Sequence, residues 1–118
     1  MRDSREMEAV PGLAVTGCDF RLASSRWRSR LVLDEQELMD LADELVRSAE
    51  ADGFVDLVTC NRVEWIVSTA RPRWTAQLLR AQMLERLGEG KEGIEPYVHV
   101  GEDAARHVFS VSIGQESF

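Results

Sequence analysis

The segment Thr59-Cys60-Asn61-Arg62-Val63-Glu64-Trp65 sets a thiol, a guanidinium and a carboxylate at alternate positions. Side chains of an extended backbone alternate between faces, so Cys60, Arg62 and Glu64 are expected on one side and Val63 and Trp65 on the other. A surface of that kind can do covalent chemistry, because the thiolate is the nucleophilic form of cysteine and a neighbouring guanidinium favours it. Arg62 could instead grip a substrate carboxylate through its planar fork, with Glu64 keeping the fork aimed. The same spacing also fits a half-buried cysteine beside a surface ion pair. His107 is the natural second member of a cysteine–histidine arrangement, as a proton shuttle for the thiol. It lies 47 positions downstream, so only folding can bring it near Cys60. Asp103 precedes His107 by one helical turn. The plainer reading of His107 is a partly buried, hydrogen-bonded residue, and His99, inside an apolar stretch, carries less weight.

Two other patterns are set aside. Gly88-Glu89-Gly90-Lys91-Glu92-Gly93 matches the dinucleotide expression GxGxxG. That fingerprint works only where a strand feeds a tight glycine turn into a helix whose N-terminus faces the diphosphate. Here it follows a helical stretch, and two of its variable positions are acidic, so it is read as a breaker loop. Cys18 and Cys60 form no CxxC and have no nearby histidine pair, which argues against a disulfide framework and a zinc site.

The elements that must position these residues can be read along the chain. Residues 1–11 are polar and end in Pro11, a loose lead-in, and the domain runs from 12 to 118. Leu13 to Thr16 is expected to be a strand, followed by a basic, serine-rich loop from Arg21 to Arg30. Asp34 with Glu37 three positions on has the form of a capping box. Behind it Leu38, Leu41, Ala42, Leu45 and Ala49 recur at helical spacing, and Asp52-Gly53 is expected to stop that helix. Phe54 to Thr59 and Val63 to Thr69 read as adjacent strands. Arg71-Pro72-Arg73 breaks the second, Thr75 can cap a helix through Leu87 that buries Leu79, Met83 and Leu87, Tyr97 to Val100 reads as a fourth strand, and a last helix begins near Asp103. The order β-α-β-β-α-β-α implies an α+β, ferredoxin-like sandwich with helices on one face of a mostly antiparallel sheet and an additional C-terminal helix.

The whole chain sets bounds on function. Its 118 residues, 44% hydrophobic and 30% charged, describe one globular domain with room for one core. Fourteen Lys and Arg against 21 Asp and Glu leave a formal charge of -7. Nucleic acid would therefore have to meet a local basic patch, with Arg26, Arg28 and Arg30 or Arg71 and Arg73 as candidates. The plain alternative is solvated surface. No apolar run approaches the ~20 residues that span a bilayer, and the start is charged, so a cytoplasmic location is expected.

Leu57-Val58-Thr59-Cys60-Asn61-Arg62-Val63-Glu64-Trp65, followed by Asp103-Ala104-Ala105-Arg106-His107-Val108-Phe109, resembles the N-terminal domain of glutamyl-tRNA reductase. The two blocks stand in the family's order and separation, and the similarity covers roughly Leu13 to Phe118. The resemblance implies an enzyme of tetrapyrrole biosynthesis that attacks glutamyl-tRNA with its cysteine, forms a thioester and reduces it with NADPH to glutamate-1-semialdehyde. It implies that Cys60 is the nucleophile, that His107 assists it, that Arg62 recognises the glutamate moiety with Glu64 in support, and that Thr59, Asn61 and Gly114 border the pocket. No cofactor is expected in this chain itself, NADPH being implied for the full-length enzyme, which would be a homodimer through a region absent here.

The sequence also departs from the family. The usual Gly-x-Asn-His-Lys-Thr-Ala-Pro is replaced by Gly17-Cys18-Asp19-Phe20-Arg21-Leu22-Ala23-Ser24, and Ala-Ser-Gly-Leu-Asp-Ser by Ser112-Ile113-Gly114-Gln115-Glu116-Ser117. The changes at Phe20, Leu22 and Ile113 flank the expected pocket. Because the chain ends at Phe118, within a family motif, a truncated or divergent stand-alone form is expected. The alternative function is a non-catalytic ferredoxin-like module that binds a protein partner or small ligand.

Overall fold

A computed structural model describes residues 12–88 and 93–112. Strand β1 (Gly12–Asp19) leads through a short helix α1 (Ser25–Arg28) and a 3-10 turn (Ser29–Leu31) into helix α2 (Glu35–Ala49). Strands β2 (Ala51–Val58) and β3 (Arg62–Thr69) follow as a hairpin, then helix α3 (Pro72–Leu87), strand β4 (Tyr97–Val100) and helix α4 (Gly101–Ser112). The sheet order is β2-β3-β1-β4, with each neighbouring pair antiparallel. β3 thus lies between β1 and β2, the split β-α-β arrangement implied by the order of elements in the sequence. No helix of the described residues is long and apolar enough to cross a membrane.

Strand register divides the sheet into two chemically different faces. Cys18 lies opposite Val63, Thr16 opposite Trp65 and Ala14 opposite Val67. These residues are buried, and Cys18, Val63, Trp65 and Val67 join the core formed with Leu41, Leu45 and Ala49 of α2 and Leu79, Met83 and Leu87 of α3. On the other face Gly17 lies opposite Glu64, Asp19 opposite Arg62, and Tyr97 opposite Gly17. α4 covers this second face, meeting it through His107 and Glu64. The two crossover helices therefore share one face, as expected, and the additional helix takes the other. Helices confined to one face is the part of the reading that needs correcting, because the alternate polar positions of β1, β3 and β4 form a second surface that a helix shields from water.

The element boundaries have local causes. At the start of α2, Asp34 Oδ1 accepts from the Glu37 amide at 2.8 Å while Glu37 Oε1 accepts from the Asp34 amide at 3.0 Å, completing the expected capping box. The helix stops one turn before Asp52-Gly53: Glu50 takes a left-handed conformation (φ 52°) and its amide donates to the Leu45 carbonyl. Asp52 and Gly53 instead belong to β2, where the pairing register slips between Ala51 and Gly53. α3 begins before Thr75, with Pro72 in its first turn, where a fixed φ and a missing amide proton cost nothing. Thr75 is buried, its hydroxyl 3.1 Å from that of Thr69, which donates to the Ala49 carbonyl at 2.5 Å. That chain of bonds ties the ends of α2 and β3 to the start of α3. The glycine-rich segment from Gly88 follows α3, as read; residues 89–92, Ile113 and Gly114 lie outside the described residues.

Candidate active site

Cys60 sits on the bend between β2 and β3, exposed. It precedes the strand, so the alternation expected to carry Cys60, Arg62 and Glu64 together extends only to the last two. The bend is held from both sides. Thr59 Oγ1 accepts from the amides of Asn61 and Arg62, each at 3.2 Å, and the Thr59 amide donates to the Arg62 carbonyl at 2.9 Å. The Asn61 carbonyl accepts from the Phe20 amide at 2.8 Å. Arg28 reaches in from α1, donating Nη2 to the Cys60 carbonyl at 3.0 Å and Nη1 to the Ala23 carbonyl at 2.5 Å. Arg28 is buried, so it is a clamp on this bend and not part of a surface cation patch. Arg30 is also engaged, with Nη1 on the Leu87 carbonyl at 2.8 Å and its guanidinium 4.4 Å from the centre of the Trp27 ring. Arg26 remains exposed.

Behind the bend, Arg62 and Glu64 are 1% and 0% exposed, a buried ion pair with Nη1 3.3 Å from Oε2. The same carboxylate oxygen accepts from the Tyr97 hydroxyl and meets His107 Nε2. Arg62 Nη1 also lies 3.5 Å from the Tyr97 hydroxyl oxygen. Burial pushes the Glu64 carboxyl up, yet hydrogen bonds from His107 and Tyr97, with the charges of His107 and Arg62, outweigh it and hold the group below the usual glutamate value. Tyr97 moves the opposite way: burial, then the Glu64 charge and its hydrogen bond, push the phenol well above its usual value, so it stays a donor. Glu64 Oε1 is buried with no hydrogen-bond partner among the described residues.

A hollow of about 450 Å³ opens on this face, lined by Asp19, Arg21, Leu22, Tyr97, His99 and His107, within the size range of small-ligand sites. His99 stacks on His107, with ring centres 4.2 Å apart and planes 22° from parallel. Asp19 accepts from Arg21 three times: from its amide at 3.0 Å, Nε at 3.1 Å and Nη2 at 2.6 Å. Burial raises the Asp19 carboxyl, but those bonds, the Arg21 charge and the Arg62 charge bring it below its usual value.

The structure thus joins Arg62, Glu64 and His107, and leaves Thr59, Cys60 and Asn61 on the bend. Cys60 makes no hydrogen bond to His107 among the described residues. Asp103 does not pair with His107 either; it bonds Arg106 Nη1 at 3.3 Å. Sequence reasoning missed Tyr97 and gave His99 little weight, yet the alternation Tyr97-Val98-His99-Val100 carried the signal, since only every second residue of that strand is apolar. Asp19 and Arg21 gave no such signal, because Asp19 comes opposite Arg62 only through the antiparallel register and Arg21 is held to Asp19 in turn. Cys18 lies on the core face, where burial and the neighbouring Asp19 charge push its thiol up to about 11 despite Arg28. It is an inert core side chain.

Fold and site together define an α+β domain with an apolar face for stability and an ionic face beside an exposed cysteine. The family model described as "Glutamyl-tRNAGlu reductase, N-terminal domain" matches residues 16–118, and the chain belongs to that family. A glutamyl-tRNA reductase of Geobacillus kaustophilus is 30% identical over 107 residues, covering 89% of this chain and 24% of that protein. One from Nitratidesulfovibrio vulgaris is 34% identical over 108 residues, covering 86% and 23%. Among solved structures, the glutamyl-tRNA reductase from Methanopyrus kandleri matches with a TM-score of 0.59 at 25% identity, over 88% of this chain and 23% of that one. The chain spans about a quarter of the length of the relatives it matches.

Proposed function

We propose that this is the substrate-recognising, acyl-accepting domain of a glutamyl-tRNA reductase. The observation that carries the reading is the exposure of Cys60 on a bend fixed by Thr59 and Arg28, immediately before the buried Arg62–Glu64 pair and its histidine. The Cys60 thiolate attacks the ester carbonyl carbon of glutamyl-tRNA, the C–S bond forms as the C–O bond breaks, and the tRNA 3′-terminal oxygen departs with a proton from His107. A thioester results, more electrophilic than the ester, which is why the position needs sulfur and not a hydroxyl. Arg62 recognises the glutamyl carboxylate with Glu64 behind it, and Thr59, Asn61 and Gly114 border the pocket.

In a full-length enzyme the hydride that reduces the thioester would come from NADPH held by other parts of the protein. Among the described residues no GxGxxG segment links a strand to a helix as a dinucleotide site requires, so no hydride step is assigned to them. The full-length enzyme is a homodimer through parts other than this domain. Supporting the tRNA contact is Arg26, which is exposed and, unlike Arg28 and Arg30, makes no side-chain bond among the described residues.

A second reading has its own observation. Phe20 and Leu22 are large exposed apolar residues, Leu22 on the wall of the hollow, in the segment where the family carries histidine and threonine. They suit a non-catalytic module that binds a protein partner or small ligand. Mass spectrometry after incubation with glutamyl-tRNA decides between the two. A glutamyl adduct at Cys60, absent in Cys60→Ser, supports acyl transfer. No adduct, with Cys60 alkylated no faster by iodoacetamide than buried Cys18, overturns it and leaves the binding module.

A further inference from the structure

We propose that Glu64 is a positioning residue for His107, forming a carboxylate–imidazole dyad that Tyr97 and Arg62 hold in place. The inference rests on the acyl-transfer reading and assigns Glu64 a duty beyond steadying Arg62. Three donors converge on one oxygen, Glu64 Oε2: Arg62 Nη1, the Tyr97 hydroxyl and His107 Nε2. They come from three elements, β3, β4 and α4, so the carboxylate cannot swing without breaking contacts to all of them. Glu64 is held as a carboxylate and can only accept, so His107 presents the Nε2 proton to it.

The consequence falls on the other ring nitrogen. With Nε2–H committed, the neutral ring carries its lone pair on Nδ1, which has no partner among the described residues, while the ring borders the hollow. His99, stacked on the ring, and Tyr97, whose ring centre is 5.4 Å away, oppose its rotation. His107 is thereby set as a base through Nδ1. A proton accepted there from the Cys60 thiol leaves an imidazolium balanced by Glu64 at the opposite nitrogen, and donation of that proton to the departing tRNA oxygen returns the ring to neutral. A carboxylate behind an imidazole commonly fixes its tautomer and orientation in this way.

Two measurements on the 118-residue chain test the dyad. In ¹⁵N-edited NMR, the His107 Nε2 proton of the wild type is expected far downfield and protected from exchange with water. It should move upfield and exchange faster in Glu64→Gln, and move by a smaller amount in Tyr97→Phe, a milder change that guards against misfolding of the first variant. In single-turnover acylation of Cys60, Glu64→Gln should lower the maximal rate by about 10²-fold and change the half-saturating glutamyl-tRNA concentration less than about threefold. An unchanged His107 signal in both variants, or a large loss of substrate affinity at full rate, overturns the proposal and returns Glu64 to Arg62 alone. The readouts also separate the two ideas: the NMR signature without any wild-type adduct leaves the dyad standing and removes acyl transfer.

Discussion

Gly17 has no chemistry of its own, yet it controls how closely the ionic residues approach one another. A β-carbon there would lie 2.6 Å from the Val63 carbonyl oxygen, 2.8 Å from Glu64 Cγ and 3.0 Å from the Tyr97 hydroxyl. The first of these is backbone of the neighbouring strand and cannot yield cheaply, and the other two belong to the group around Glu64 Oε2. Gly17→Ala is therefore expected to cost about 1–3 kcal/mol of stability, the usual cost of overfilling a packed site. It should also displace the Tyr97 hydroxyl from Glu64, moving the His107 ring signals in NMR. A variant as stable as wild type with those signals unchanged would show that the strands at Gly17 have more room than the structure gives them. At this scale the sequence was partly legible. The residue types at Cys60, Arg62, Glu64 and His107 marked them as candidates, and the structure joins the last three, but Gly17 and Asp19 join that group only through a cross-strand register that no local pattern encodes.

Among the elements, α2 shows a local signal that translated directly into structure, because Asp34 and Glu37 satisfy each other's amides without help from the rest of the chain. Leu79, Met83 and Leu87 were likewise readable as core, since helical spacing alone aligns them. Boundaries set by tertiary contact were not: Asp52-Gly53 looks like a helix stop in isolation but is drawn into β2 by pairing with β3. The placement of α4 was equally hidden, because its partner surface exists only once β1, β3 and β4 are side by side. Glu37 does more than cap, since Arg86 of α3 donates Nη1 to it at 2.6 Å and also bonds the carbonyls of Arg30 and Val32. The hydrogen bond from Arg86, then that from the Asp34 amide, bring the Glu37 carboxyl from 4.5 down to about 2. Its folded-state value is below its unfolded one, so its contribution to stability is fully present above about pH 5 and disappears as pH falls towards 2. Urea unfolding of wild type and Glu37→Gln should show a constant gap in midpoint from pH 7 to 5 that closes near pH 2. A gap independent of pH would mean that the side chain acts through shape and not charge.

Across the whole molecule the sheet separates an apolar face from an ionic one. One face buries hydrocarbon against α2 and α3, while the other buries Arg62 and Glu64 beneath α4. A buried ion pair is a poor source of net stability, because desolvation of both charges offsets most of their attraction, whereas removing one partner strands the other. The two faces should therefore answer mutation differently. Leu79→Ala on the apolar face is expected to cost about 2–5 kcal/mol and to leave the intrinsic alkylation rate of Cys60 in the folded fraction unchanged. Arg62→Met should cost about 3–5 kcal/mol, because Glu64 keeps its charge without its cation. Adding Glu64→Leu to Arg62→Met removes that stranded charge, so the double variant should recover much of the loss while acylation by glutamyl-tRNA stays absent. Calorimetry and the adduct assay on wild type, Leu79→Ala, Arg62→Met, Glu64→Leu and the double variant complete the comparison. Costs that simply add would mean that Arg62 and Glu64 stabilise the fold independently, and the ionic face would then be scaffold as much as site.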